Sequence, residues 1–323
     1  MFTSIFLVVV GLIVLIFGGE FFVRGSASTA SKLKISPIVI GLTVVAFGTS
    51  APEMVVNIFS AISGSPDIAI GNILGSNISN ILLVLGVSAM IYPLTVKRGT
   101  TWKEIPFGIL AVIVLFLLAN DVLFGNNGVD ILTRGDGLVL ISFFLIFLYY
   151  TFGLTKVEGT EKDMGTTKKY SWPISIFYII GGITCLVLGG KLIVDNGIIL
   201  AKAAGLSELF IGLTIVAIGT SLPELATAAI AAWHKHDDLA IGSIVGSNIF
   251  NVLWVLGITP LIKPIHVSAD VYPHLAIAVG SAVLLFVFMF TGKSKNHHTL
   301  RRWQGFIFVL LYFGYITFIA LNR

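Results

Sequence analysis

The sequence predicts an all-α polytopic membrane protein of ten transmembrane helices, arranged as two five-helix repeats of inverted topology. Of its 323 residues 56% are hydrophobic and only 11% charged, with a mean hydropathy of +0.99, far from the roughly quarter-charged mixture of soluble domains. Ten apolar windows, most of spanning length, can be drawn, at about 3–23, 38–62, 68–91, 104–120, 136–153, 173–194, 209–232, 239–262, 272–291 and 302–321. Residues 40–87 recur at 211–258 without a gap, every pair 171 positions apart and 26 of 48 pairs identical. Five spans per copy is an odd number, so the second copy enters the membrane from the opposite side. The copies are then related by a pseudo-two-fold axis in the membrane plane.

Window 1 lacks the basic start and small-residue cleavage site of a secretion signal and reads as a retained helix. It ends near GGEFFVRGSASTASKLK, whose small residues suit close helix packing as well as a short re-entrant or amphipathic start; GGKLIVDNGIILAKAAG is its counterpart at the same offset. Windows 2 and 3 are joined only by ISGSPD, and windows 7 and 8 only by WHKHDD, so each pair must be a tight antiparallel hairpin. Windows 4, 5, 9 and 10 carry no polar constellation and read as scaffold. The longest polar stretch, 154–172, is the expected linker between a first half, 1–153, and a second half, 173–323.

Basic residues sort by side. Loops after windows 1, 3, 5, 7 and 9 hold 15 of the 20 Lys and Arg, which places those loops in the cytoplasm and both termini outside a cell membrane. Topology thus accounts for the net charge of +4 without nucleic acid. The lone Cys185 supports neither a disulfide nor a metal clip. No phosphate-binding glycine loop is present, so ion gradients, not a nucleotide, would supply the energy, and no cofactor is expected.

The chemistry gathers in GTSAPE, 48–53, and its copy GTSLPE, 219–224. Pro52 and Pro223 should kink or break their helices, helped by Gly48 and Gly219. A break releases carbonyl oxygens at mid-membrane, where protein, water or an ion must satisfy them. Glu53 and Glu224 follow four residues after Thr49 and Thr220, a spacing that shares one helical face. Asn72, Ser76 and Asn80 recur every fourth residue, as do Ser243, Ser247 and Asn251, giving each following helix a polar stripe. Two carboxylates among neutral oxygens suit hard cations and not soft metals. Packing alternatives stand beside these readings: interhelical glue for the Ser and Asn residues, back-bonding for Thr49, Ser50, Thr220 and Ser221, and capping or packing for Asn77 and Asn248. Intramembrane acids are costly and usually functional, which sets Glu53 and Glu224 apart. His234 and His236 read as solvated turn residues.

GTSAPE with GNILGSNISN, repeated as GTSLPE with GSIVGSNIFN, resembles the two alpha repeats of the calcium/cation antiporter superfamily, most closely its prokaryotic sodium/calcium exchanger branch. The resemblance covers nearly the whole chain. It implies Glu53 and Glu224 as central carboxylate ligands, with Thr49, Ser50, Thr220 and Ser221 supplying hydroxyl or carbonyl oxygens. Ser76, Asn80, Ser247 and Asn251 would complete the site, and the carbonyls of Ala46 and Ala217 would face outer sodium positions. It further implies that helices 1 and 6 slide across a fixed core. Archaeal-type exchangers carry an acid where this chain has Asn251, so the site here holds two formal negative charges, matching one Ca²⁺ or two Na⁺.

The expected function is antiport of Ca²⁺ against Na⁺, with Na⁺ entry driving Ca²⁺ out. Ca²⁺/H⁺ exchange through the same two glutamates is the alternative; potassium-dependent exchange and a channel or scaffold are weaker ones. The partners are Ca²⁺, Na⁺ and the lipid bilayer. No obligate protein partner is called for, and the oligomeric state is left open.

Overall fold

A computed structural model describes residues 2–33, 35–63, 66–122, 129–157, 170–203, 217–291 and 297–321. Among these residues there are eight helices long and apolar enough to cross a membrane, and a ninth if the bent pair Pro37–Thr49 and Ala51–Ile58 is one span. In chain order the helices are α1 (Phe2–Leu33), α2 (Pro37–Thr49), α3 (Ala51–Ser63) and α4, which runs through Pro66–Ser79, the π-helical turn Asn80–Leu85 and Gly86–Ile91. After the short turn Arg98–Trp102 come α5 (Glu104–Leu118), α6 (Arg134–Val157) and α7 (Trp172–Ala203). Next are α8 (Ala217–Thr220), α9 (Leu222–Trp233) and α10, made of Asp237–Ile249, the π-helical turn Phe250–Val255 and Leu256–Ile262. Helices α11 (Val271–Thr291) and α12 (Arg302–Leu321) complete the set. Of the seventh expected window, the part before Ala217 lies outside the described residues, as does most of the 154–172 linker.

The first and sixth spans run further than their hydropathy windows, to Leu33 and Ala203. Glu20 and Arg24, which end the first window, pair across one helical turn at 2.5 Å, and the small residues Ser26, Ala27, Ser28 and Ala30 are buried. The helix therefore continues where a re-entrant start was an option. Its packing face meets α7 in antiparallel order: Gly11 faces Gly189, Gly18 faces Cys185, and Gly25 faces Ser175 and Ile179. A small residue every seventh position lets two backbones approach along one seam. The Ser28 and Ser175 hydroxyls close that seam at 2.9 Å.

At the centre lie α4 and α10. Of their spanning windows 78% and 94% is buried, against 22–39% for the other straight spans, whose apolar outer faces suit lipid. The surrounding helices pack crosswise on this pair. Gly86 of α4 meets Gly305 of α12, and Gly257 of α10 meets Gly137 of α6; a Cβ on Gly305 or Gly137 would stand 2.5 Å from the facing carbonyl oxygen. Short strands repeat the crossing at the span ends, a feature absent from the all-α expectation. β1 (Leu94–Lys97) pairs antiparallel with β4 (His297–Leu300), and β2 (Ile131–Leu132) with β3 (Ile265–His266). Leu94, Val96, Leu132, Ile265 and Leu300 are buried there, so these ribbons satisfy their backbone groups while covering the ends of the core.

Candidate cation site

Both polar interruptions sit at helix breaks, at Ser50 and Ser221, two residues before the prolines expected to mark them. Helix α2 ends at Thr49, Ser50 takes φ −83° and ψ 9°, and α3 departs at 47°. Ser221 repeats this between α8 and α9 with φ −83° and ψ 2°. Each proline then falls in the first turn of the new helix, where its missing N–H costs little. The break separates Thr49 from Glu53, and Thr220 from Glu224, so each pair flanks a bend where one continuous face was expected. Glu53 and Glu224 consequently lie in the first turns of α3 and α9, where the helix dipole favours negative charge.

Glu53, Glu224, Thr49, Ser50, Ser76, Asn80, Thr220, Ser221, Ser247, Asn251 and Ala46 are all buried. Ser50 Oγ donates to Glu224 Oε1 at 2.9 Å, and Ser247 Oγ lies 3.5 Å from the same oxygen and 3.4 Å from the Ala46 carbonyl. Thr49 Oγ1 is 3.3 Å from Ser247 Oγ and donates to the Val45 carbonyl at 3.1 Å. Around the other acid, Ser76 Oγ is 3.4 Å from Glu53 Oε1, and Thr220 Oγ1 is 3.4 Å from Asn72 Oδ1. The two carboxylates interact electrostatically. Ala217 is the first described residue of α8, and its side chain lies outside the described set.

In the site, four buried carboxylate and amide oxygens have no hydrogen-bond partner among the described residues: Glu53 Oε2, Glu224 Oε2, Asn80 Oδ1 and Asn251 Oδ1. Leaving such oxygens unmatched in a low-dielectric interior is costly. Among the described residues no group of three or more His, Cys, Asp or Glu is placed to hold a metal. The available donor set is two carboxylates with amide, hydroxyl and carbonyl oxygens, appropriate to a partly dehydrated hard cation.

Asparagines outside the expected set complete the surroundings. Asn77 and Asn248 donate their side-chain amides to each other's main-chain carbonyls at 3.2 and 3.3 Å. Asn57 links Asn72 (2.9 Å) to the Ala69 carbonyl (3.1 Å). Asn77 and Asn248 are identical at the 171-residue offset, a signal that sequence reading could have weighed more heavily; Asn57 falls opposite Ala228 and offers none. His234, expected to be solvated, bonds the Glu20 carboxylate at 2.8 Å and ties the α9 turn to α1.

The family model described as sodium/calcium exchanger protein matches residues 3–153 and 174–321. The CaxA protein of Alkalimonas amylolytica is 37% identical over 317 residues, covering 95% of this chain and 96% of its own. The sodium/calcium exchanger MaX1 of Methanosarcina acetivorans is 28% identical over 342 residues, covering 96% of each. A solved structure of the sodium-calcium exchanger NCX_Mj superposes with a TM-score of 0.81 at 33% identity over 99% of both chains. The match over nearly the whole chain, on this fold, places the chain in the sodium/calcium exchanger protein family of multi-pass membrane cation antiporters.

Proposed function

We propose that the chain exchanges Ca²⁺ for Na⁺ across the cell membrane by alternating access, with Na⁺ entry driving Ca²⁺ efflux. The observation that carries this reading is the set of four unmatched buried oxygens on Glu53, Glu224, Asn80 and Asn251. Calcium binds between the two carboxylates, completed by the amide oxygens of Asn80 and Asn251. Sodium ions compete for overlapping oxygens, including Thr49, Ser50, Ser76, Thr220, Ser221 and Ser247 and the carbonyls of Ala46 and Ala217. An empty pair of buried carboxylates is expensive to occlude, so crossing between outward and inward states requires a filled, charge-compensated site. That requirement couples the fluxes. The halves 1–153 and 173–323, joined by 154–172, supply one broken helix each, and both termini lie outside.

Two relatives favour sodium coupling, since MaX1 and NCX_Mj are both called sodium/calcium exchangers. The same two acids would also serve proton exchange. Calcium uptake into proteoliposomes under separately imposed Na⁺ and H⁺ gradients decides between them. Uptake that follows the Na⁺ gradient is expected; uptake indifferent to Na⁺ that follows ΔpH would replace this reading with Ca²⁺/H⁺ exchange. Glu53→Gln and Glu224→Gln should each nearly abolish calcium flux, and unchanged exchange in either would remove the site assignment.

A further inference from the structure

We propose that Asn77 and Asn248 are positioning residues that decide which end of the Asn80 and Asn251 side chains faces the cation. This rests on the cation-site reading above and adds to it a reason for the orientation of two neutral ligands. An asparagine amide has nearly the same shape with its oxygen and nitrogen exchanged, so only its hydrogen bonds choose between the two. Here the bonds form two crosswise chains with one polarity. Asn77 Nδ2 donates to the Asn248 main-chain oxygen at 3.2 Å, and Asn248 Nδ2 donates to the Asn77 main-chain oxygen at 3.3 Å. Each nitrogen is thereby committed, and each Oδ1 is turned to the ligand asparagine of the opposite helix. Asn80 Nδ2 donates to Asn248 Oδ1 at 3.0 Å, and Asn251 Nδ2 donates to Asn77 Oδ1 at 3.2 Å. The ends left over are Asn80 Oδ1 and Asn251 Oδ1, both buried and without a hydrogen-bond partner among the described residues.

Reversing any one of these amides sets oxygen against oxygen or N–H against N–H, so each positioning residue and its ligand asparagine hold their orientations as a pair, Asn77 with Asn251 and Asn248 with Asn80. The backbone prepares the arrangement. In both helices an α-helical segment passes into a π-helical turn, at Asn80–Leu85 and Phe250–Val255. A main-chain carbonyl carries two lone pairs, so one in the helix ladder can accept a further bond from a facing helix. The Asn77 and Asn248 carbonyls accept from the opposite helix just before those turns. Without the lock, Asn80 and Asn251 would turn about χ2 and offer N–H groups, which repel a cation, for part of the time.

The test is calcium uptake in proteoliposomes by the full chain carrying Asn77→Ala, Asn248→Ala, Asn80→Ala, Asn251→Ala and their pairwise combinations. Losing one lock residue should raise the half-saturating Ca²⁺ concentration by about 3- to 10-fold, with the maximal rate nearly unchanged. Non-additivity should be crosswise: Asn77→Ala adds little in an Asn251→Ala background, and Asn248→Ala adds little in an Asn80→Ala background. The same-helix combinations, 77 with 80 and 248 with 251, should instead be additive. A role confined to helix packing would lower thermal stability without this pattern, and full effects in every background would overturn the proposal. Should the alanine variants not fold, Asn77→Thr and Asn248→Thr are put through the same cycles and judged by the same pattern. Glu53→Gln run in parallel separates the two levels. Lost transport there with additive cycles defeats only the positioning role, whereas normal transport there defeats the site on which it rests.

Discussion

Ser50 donates a 2.9 Å hydrogen bond to Glu224, whereas Ser221, which stands in the same place in the second copy, has a buried hydroxyl without a hydrogen-bond partner among the described residues. Equivalent residues are therefore used unequally in this conformation. A hydrogen bond to a buried charged group contributes about 1.5–3 kcal/mol. Ser50→Ala should lose stability in that range, and Ser221→Ala should lose less than about 1 kcal/mol. Thermal unfolding of detergent-solubilised protein compares the two; equal losses would mean that the Ser50 bond carries no special weight.

The seam between α1 and α7 yields a sharper contrast within one dipeptide. A Cβ on Gly182 would stand 2.6 Å from the Phe22 amide nitrogen and 2.8 Å from its Cα, both backbone atoms that cannot rotate away. Gly181 has nothing within 4 Å among the described residues. Gly182→Ala should therefore destabilise by about 1–3 kcal/mol through overpacking. Gly181→Ala should be neutral, or stabilise by up to about 1 kcal/mol, because alanine is the better helix former. Melting temperatures of the two variants check this directly, and a tolerated Gly182→Ala would show that the helices lie further apart than 2.6 Å allows.

Much of this was readable before any coordinates, for a physical reason. Glu53 and Glu224 are legible because an acid amid apolar sequence is costly wherever it sits, and the copy at a fixed offset repeats that cost. What escaped reading depends on partners far away in sequence. Asn77 and Asn248 look like ordinary packing residues until α4 and α10 are set side by side, because their partners lie 168, 171 or 174 positions away. The length of α1 was hidden because its apolar window stops between Glu20 and Arg24, whose charges fold as an i, i+4 pair within one helix. The breaks at Ser50 and Ser221 were displaced from the prolines because a proline is comfortable in the first turn of a helix, which it begins more readily than it interrupts. The crosswise strands involve a few residues each, too short for alternation to announce them.

At the α9–α10 turn, His236 offers a pH-dependent test outside the membrane spans. Burial, and secondarily the charge of neighbouring His234, hold its imidazole below the usual histidine range. A histidine with a depressed folded value takes up its proton more readily when unfolded, so stability is retained above the unfolded value, about 6.5, and lost as pH falls below it. Melting curves between about pH 7.5 and about pH 5.5 should show a smaller drop for His236→Gln than for the parent chain. Identical drops would exclude this imidazole as a contributor.

Asn251 invites the substitution that would add a third formal charge to the site. Its Nδ2 donates to Asn77 Oδ1 at 3.2 Å, so an ionised aspartate there would set a carboxylate oxygen against a carbonyl oxygen. Two responses are available: the Asn77 amide turns over and gives up its bond to the Asn248 carbonyl, or the new carboxyl keeps a proton and donates in place of the lost N–H. Either way Asn251→Asp should cost about 1–3 kcal/mol of stability at neutral pH. The loss should shrink on acidification, because the protonated carboxyl restores the missing donor. Calcium should also stabilise this variant more than the parent, since the added charge is then matched by the ion. Thermal unfolding of Asn251→Asp and parent at about pH 7.5 and about pH 5.5, with and without Ca²⁺, reads both effects. A stability difference that ignores pH would mean that residue 251 needs no donor toward Asn77.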